Sequence, residues 1–172
     1  VENILQNLIK ERNSSEYNIH IISSKNFLKL KFKKNKNLNF YPVLEKINIP
    51  FIPQRFITAL NGMIVLISLL KKFKDEVIVH SMQSNVAAII ACIIKHKKIV
   101  IRNSENPIYS TINSENTFFG FIAFSLKLLF YNFADGIVTN SKGSANSLEF
   151  FVFEYTWFRQ LKFEGLPSSA KS

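Results

Sequence analysis

The chain has one cysteine, five glycines, five prolines and a single tryptophan in 172 residues. With Cys92 alone, no disulfide can close within the chain, and the sequence holds no cysteine cluster for a metal. Cys92 lies in the apolar run AAIIACII, where an unpaired thiol packs as a small apolar group. Lack of disulfides agrees with a reducing, cytoplasmic setting. The three histidines, His20, His80 and His96, have no ligand spacing, so no metal ion is expected. Glycine is too sparse for the usual phosphate loops: neither GxGxxG nor GxxxxGK[ST] occurs, which removes the main support for dinucleotide or P-loop binding, and no cofactor is expected. No internal repeat is present.

Long apolar runs are missing too. The most apolar stretches, residues 63–70 and 118–133, fall short of the ~20 apolar residues of a bilayer span, and Lys127 interrupts the second. The opening VENILQNLIKER shows helical spacing through Ile4, Leu5, Leu8 and Ile9 and lacks the three regions of a signal peptide. Acidic residues are scarce: 12, against 22 lysines and arginines, giving a formal charge of +10. No acid lies between Tyr17 and Leu44, a stretch holding Lys25, Lys29, Lys31, Lys33, Lys34 and Lys36. Such a segment either meets phosphates of lipid or nucleic acid, or is a solvated loop. Heavy use of Lys, Asn, Ile and Phe is also what an AT-rich coding sequence produces, so the charge alone names no partner.

What is present is enough for one core. A domain of this length buries about 70% of its unfolded surface, and 47% of the residues are hydrophobic. Short β-branched runs at residues 18–22, 76–81, 98–102 and 136–139 read as buried strands. Residues 37–44 are a weaker strand, since Pro42 lacks a ladder donor and favours an edge. Helical spacing covers residues 55–74, with Lys71, Lys72 and Lys74 at the C-terminal end, and residues 86–95, capped by Ser84 or Asn85. Residues 118–131 form a further helix, apolar on nearly all sides; burial is the first reading and membrane-interface contact the second. Ser141 caps a last helix. Strands alternating with helices predict an α/β fold with a mostly parallel, doubly wound, Rossmann-like sheet and right-handed crossovers. Residues 1–150 are assigned to this domain; 151–172 are an aromatic segment and flexible tail.

In open α/β sheets ligands sit at the carboxyl ends of the strands. His80 and Ser81 end one strand; an imidazole there binds a hydroxyl, exchanges a proton or merely caps a turn. Arg102, Asn103, Ser104, Glu105 and Asn106 follow the next strand, a dense set of donors and acceptors suited to hydroxyl-rich ligands or phosphate, fixed at its exit by Pro107. Arg102 paired with Glu105 is the plainer alternative. Asn140, Ser141, Lys142 and Gly143 stand at a strand-to-helix junction, either an anion site or a helix cap.

These segments carry a resemblance. VIVHS, KIVIRNSENP and YNFADGIVTNSKGSANSL, in that order, resemble the N-terminal, acceptor-side domain of GT-B retaining glycosyltransferases, the family-four-like group that includes bacterial polysaccharide and lipid-glycan synthases. His80 with Ser81, residues 102–107, residues 131–135 and Ser141 occupy the matching positions, and VENILQNL is similar to the helix after the family's glycine-rich first loop, with Glu2 at its acidic position. The resemblance spans residues 1–150. It implies a fragment lacking the first strand and the second, donor-binding domain, and inactive alone. Hexosyl transfer from a nucleotide-sugar donor to a polysaccharide or lipid-linked acceptor is the implied reaction, with configuration retained.

Arg102, Asn103, Ser104, Glu105 and Asn106 would line the cleft, with His80 and Ser81 beside them and Ser141 and Lys142 near the diphosphate. The loop where the family often has His carries Asn103, Ser104 and Glu105 here, so no catalytic residue is named. The implied location is cytoplasmic, peripheral on the inner face of the membrane. The competing reading is a non-enzymatic basic module that binds anionic membrane or another polyanion through Lys25–Lys36. Nucleic acid is disfavoured, because the aromatics fall in apolar helices rather than among the lysines.

Overall fold

The structure, a computed structural model, describes residues 18–24, 38–43, 52–74, 76–103 and 117–149. The elements are β1 (Ile19–Ser24), β2 (Leu38–Val43), α1 (Gln54–Leu70), β3 (Ile78–Ser81), α2 (Asn85–Lys95), β4 (Lys98–Asn103), α3 (Thr117–Phe130), a 3-10 turn (Tyr131–Phe133), β5 (Gly136–Thr139) and α4 (Lys142–Glu149). The order agrees with the alternation expected of an α/β chain. The helix expected at the start of the chain, the Lys25–Lys36 stretch and residues 151–172 lie outside the described residues.

Among the described residues every strand pairing is parallel, and α2 and α3 lie in sequence between the strands they connect in the second sheet. Among the described residues the strands form two sheets rather than the single one expected: β1–β2, and β3–β4–β5 with β4 in the middle. In the first, Ile19 stands opposite Leu38 and Ser24 opposite Val43. Pro42 lies opposite Ser23 in β2, which pairs only with β1 among the described residues, the edge position its missing N–H favours. In the second sheet β4 alternates as its central place demands. Ile99, Ile101 and Asn103 are buried on one face, while Val100 and Arg102 are half-buried on the other.

One core joins these parts. Ile89, Ile99, Ile101 and Cys92 are enclosed completely, together with Leu66 and Leu70 of α1, Ala88 and Ala91 of α2, Tyr131 and Leu148. The alanines let α2 approach β4 closely. Ile22 of β1 packs against this same cluster, and a Cβ on Gly62 of α1 would lie 3.9 Å from a Val43 methyl of β2. Helix α1 therefore covers the small sheet with one part and enters the main core with another. It ends at Leu70, four residues before the expected end, so Lys71, Lys72 and Lys74 follow the helix and lie exposed.

Helix α2 ends at His96, in the left-handed region with φ 49°, and Lys97 N–H donates back to the Cys92 carbonyl at 3.0 Å. This is a Schellman-type stop made without glycine. Helix α3 departs from the burial expected of it. Phe118, Phe121 and Leu129, and Phe133 just beyond, are 61–68% exposed, whereas Gly120 is buried. An all-round apolar composition cannot say which face meets the core.

Candidate functional site

Because β3, β4 and β5 are parallel, their carboxyl ends lie along one edge. Ser81 is level with Ile101, and Asn103 with Thr139. His80 and Ser81 point to opposite faces, as successive strand residues must: His80 is exposed and Ser81 is buried. The two residues expected beside the cleft thus part, His80 toward solvent and Ser81 into the protein.

Ser81 Oγ faces two acceptors, the Gln83 carbonyl at 2.9 Å and Asn85 Oδ1 at 2.8 Å; one hydroxyl hydrogen serves them in turn. Asn85 Nδ2 donates to the Arg102 carbonyl at 2.9 Å and to the Tyr131 hydroxyl at 3.3 Å. Tyr131 Oη in turn donates a long bond, 3.5 Å, to Asn103 Oδ1. The ends of β3 and β4, the first turn of α2 and the 3-10 turn are joined by this network. Among the described residues no buried side-chain polar atom lacks a partner, as buried polar groups require.

Arg102 leaves the opposite face of β4 and donates from Nε to Asn140 Oδ1 at 3.0 Å, bridging the exits of β4 and β5. Ser104, Glu105 and Asn106 lie outside the described residues, and with them the proposed Arg102–Glu105 pairing. Ser141 caps α4: Ser144 N–H donates to its Oγ at 3.2 Å, and Ser141 Oγ donates to Ser144 Oγ at 3.1 Å. Lys142 is the first residue of α4 and is exposed. Ser84 does not cap α2 through its side chain. It sits in the left-handed region, φ 55°, and only its carbonyl enters the helix, accepting from Ala88 N–H at 3.1 Å.

The segment YNFAD has a defined structural task. Asp135 N–H donates to the Ile99 carbonyl at 2.9 Å, and Ile99 N–H donates to Asp135 Oδ2 at 2.8 Å. This reciprocal pair fastens the start of β4 to the turn entering β5. Cys92 has no nucleophilic prospect: burial first, and the Asp135 charge second, push its thiol up to about 11. Among the described residues no three His, Cys, Asp or Glu side chains come together as a metal site.

The edge therefore presents binding chemistry from Arg102, Asn140, Lys142, Gln83 and His80. Asn85 and Tyr131 are the organising residues that sequence reasoning missed, having treated one as a helix cap and the other as a motif position. The Ser81/Asn85 spacing of four was the available signal; Tyr131 joins only through the fold. No protein-family model matches this sequence, and no curated protein matches it.

Proposed function

We propose that the chain is part of a GT-B retaining glycosyltransferase, the acceptor-side portion, taking a polysaccharide or lipid-linked acceptor. On this reading a further domain holds the nucleotide-sugar donor, and the residues here bind and orient rather than transfer. The observation that carries it is the convergence, in chain order, of three strand exits on one edge: His80 from β3, Arg102 from β4, and Asn140 through Lys142 after β5. Guanidinium, amide and hydroxyl groups at close spacing suit a ligand rich in hydroxyls and carrying phosphate. Its site would comprise His80, Arg102 and Lys142, with Ser104, Glu105 and Asn106 from the loop after β4, while Asn103, buried on the other face, would support it from beneath.

The test is binding of the 172-residue chain to immobilised bacterial glycans and to a lipid-linked sugar phosphate. Arg102→Ala should weaken capture at least tenfold. Capture of neither ligand class, or capture indifferent to Arg102→Ala, would overturn the assignment.

A second reading is a basic module on anionic membrane, supported by the +10 charge and the exposed Phe118, Phe121, Leu129 and Phe133. No helix among the described residues is long and apolar enough to cross a membrane, so contact would be peripheral, on the cytoplasmic face. Sedimentation with phosphatidylglycerol vesicles in low salt, abolished when Lys25, Lys29, Lys31, Lys33, Lys34 and Lys36 are neutralised, is its expected result. Absence of binding at low salt rejects it.

A further inference from the structure

The two buried polar residues among those described are Ser81, 7% exposed, and Asn103, 3% exposed, at the ends of adjacent strands. Both are tied to Asn85, the first directly and the second through Tyr131. A buried hydroxyl and a buried amide persist only when bonded, so these bonds fix geometry at the point where the site begins. Asn85 works with both ends of its amide. Oδ1 accepts from Ser81, and Nδ2 donates to the Arg102 carbonyl and the Tyr131 hydroxyl. Only the nitrogen can donate to a carbonyl, so the orientation of the amide is determined. The left-handed turn at Ser84 brings Asn85 back over Ser81, its neighbour four residues earlier.

We infer that Asn85 is the positioning residue of this edge: by holding the Arg102 carbonyl it fixes the exit of β4 and keeps the Arg102 guanidinium across to Asn140, where a ligand meets it. Asn85 acts through Arg102 and touches no ligand itself. The ligand part rests on the reading of this edge as a sugar or sugar-phosphate site; the hold on Arg102 stands without it.

The experiment follows the Arg102 Nε–H signal by NMR in the full chain, identified by its disappearance in Arg102→Lys. Asn85→Asp keeps the acceptor for Ser81 but removes both donors, and should speed exchange of the Arg102 Nε–H with water at least tenfold. Tyr131→Phe should speed it about threefold, since one of the two Nδ2 bonds remains. Ile57→Val, a variant of reduced stability at a buried position on α1 outside the cluster that holds Tyr131, should leave it within twofold. Unchanged exchange in Asn85→Asp, or an equal rise in Ile57→Val, overturns the inference, the latter because general loosening would then explain the effect. If Asn85→Asp does not fold, Tyr131→Phe decides on the same criterion. Glucose 1-phosphate is the ligand probe: a shift of the Arg102 signal in the wild-type chain, reduced at least tenfold in apparent affinity by Asn85→Asp, supports the full statement. No wild-type shift counts against the ligand reading alone, because the exchange rates decide the positioning role.

Discussion

Removing the Asp135 carboxylate isolates one interaction in a way few substitutions here do. In Asp135→Ala the backbone bond from residue 135 to the Ile99 carbonyl survives, and only the side-chain acceptor of Ile99 N–H is lost. Hydrogen bonds to charged groups contribute about 1.5–3 kcal/mol, and the donor here belongs to a residue only 1% exposed. Asp135 itself is exposed, so water can approach the vacated acceptor position, which sets the expected loss near 2 kcal/mol. Asp135→Asn retains an amide oxygen at the same place, and a neutral acceptor is about half as strong, so its loss should be near 1 kcal/mol. Urea unfolding followed by circular dichroism reads both. With a slope of about 1.5 kcal/mol per molar, the midpoint should fall by about 1.3 M for Asp135→Ala and about half that for Asp135→Asn. A loss under about 0.5 kcal/mol for Asp135→Ala, or equal losses for the two variants, would refute the assignment of Asp135 as a charged acceptor clasping β4.

His96→Gly should stabilise the chain by about 0.5–1 kcal/mol, because glycine relieves the left-handed strain at the end of α2 at some entropic cost; destabilisation would mean the imidazole has a role of its own. Cys92 should react with a thiol reagent only as fast as the native core opens, and stability should fall between pH 9 and about 11, where the unfolded thiol ionises and the buried one does not; prompt labelling at pH 8 would contradict its burial. Burial lowers the His20 pKa, so the unfolded state binds the extra proton first and stability should drop as pH falls below 6.5; His20→Gln should flatten that part of the pH profile. Glu76→Gln should produce no measurable change, since the 2.9 Å bond between Lys98 and Glu76 joins two exposed side chains.

Element order was readable because short β-branched runs and helical spacing are local signals. The span of β5, Gly136–Thr139, coincides with the expectation, and β4 differs by one residue. Cys92 was placed in the core by its apolar neighbours, and Pro42 at an edge by its missing donor. Three things escaped. The division of the strands into two sheets depends on long-range pairing that periodicity does not encode. The separation of His80 from Ser81 follows from strand alternation, yet the partner that satisfies the inward Ser81, Asn85, is brought to it by the start of the next helix. The central place of Tyr131 comes from contacts across 46 and 28 positions of chain. Of the expected site, Arg102 and Asn140 meet directly, Ser141 serves as a cap, and Lys142 stands exposed beside them.

The sharing of α1 between two sheets also sets how the molecule comes apart. Among the described residues the β1–β2 pair has two buried side chains, Ile21 and Val43, and reaches the main core through Ile22 and the helix that covers it. Native-state hydrogen exchange will therefore resolve two cooperative units: β1–β2 opens at low denaturant and β3–β4–β5 only with global unfolding. Helix α1 packs against both, so a destabilising substitution on its buried face should lower the opening free energy of each unit rather than of one alone.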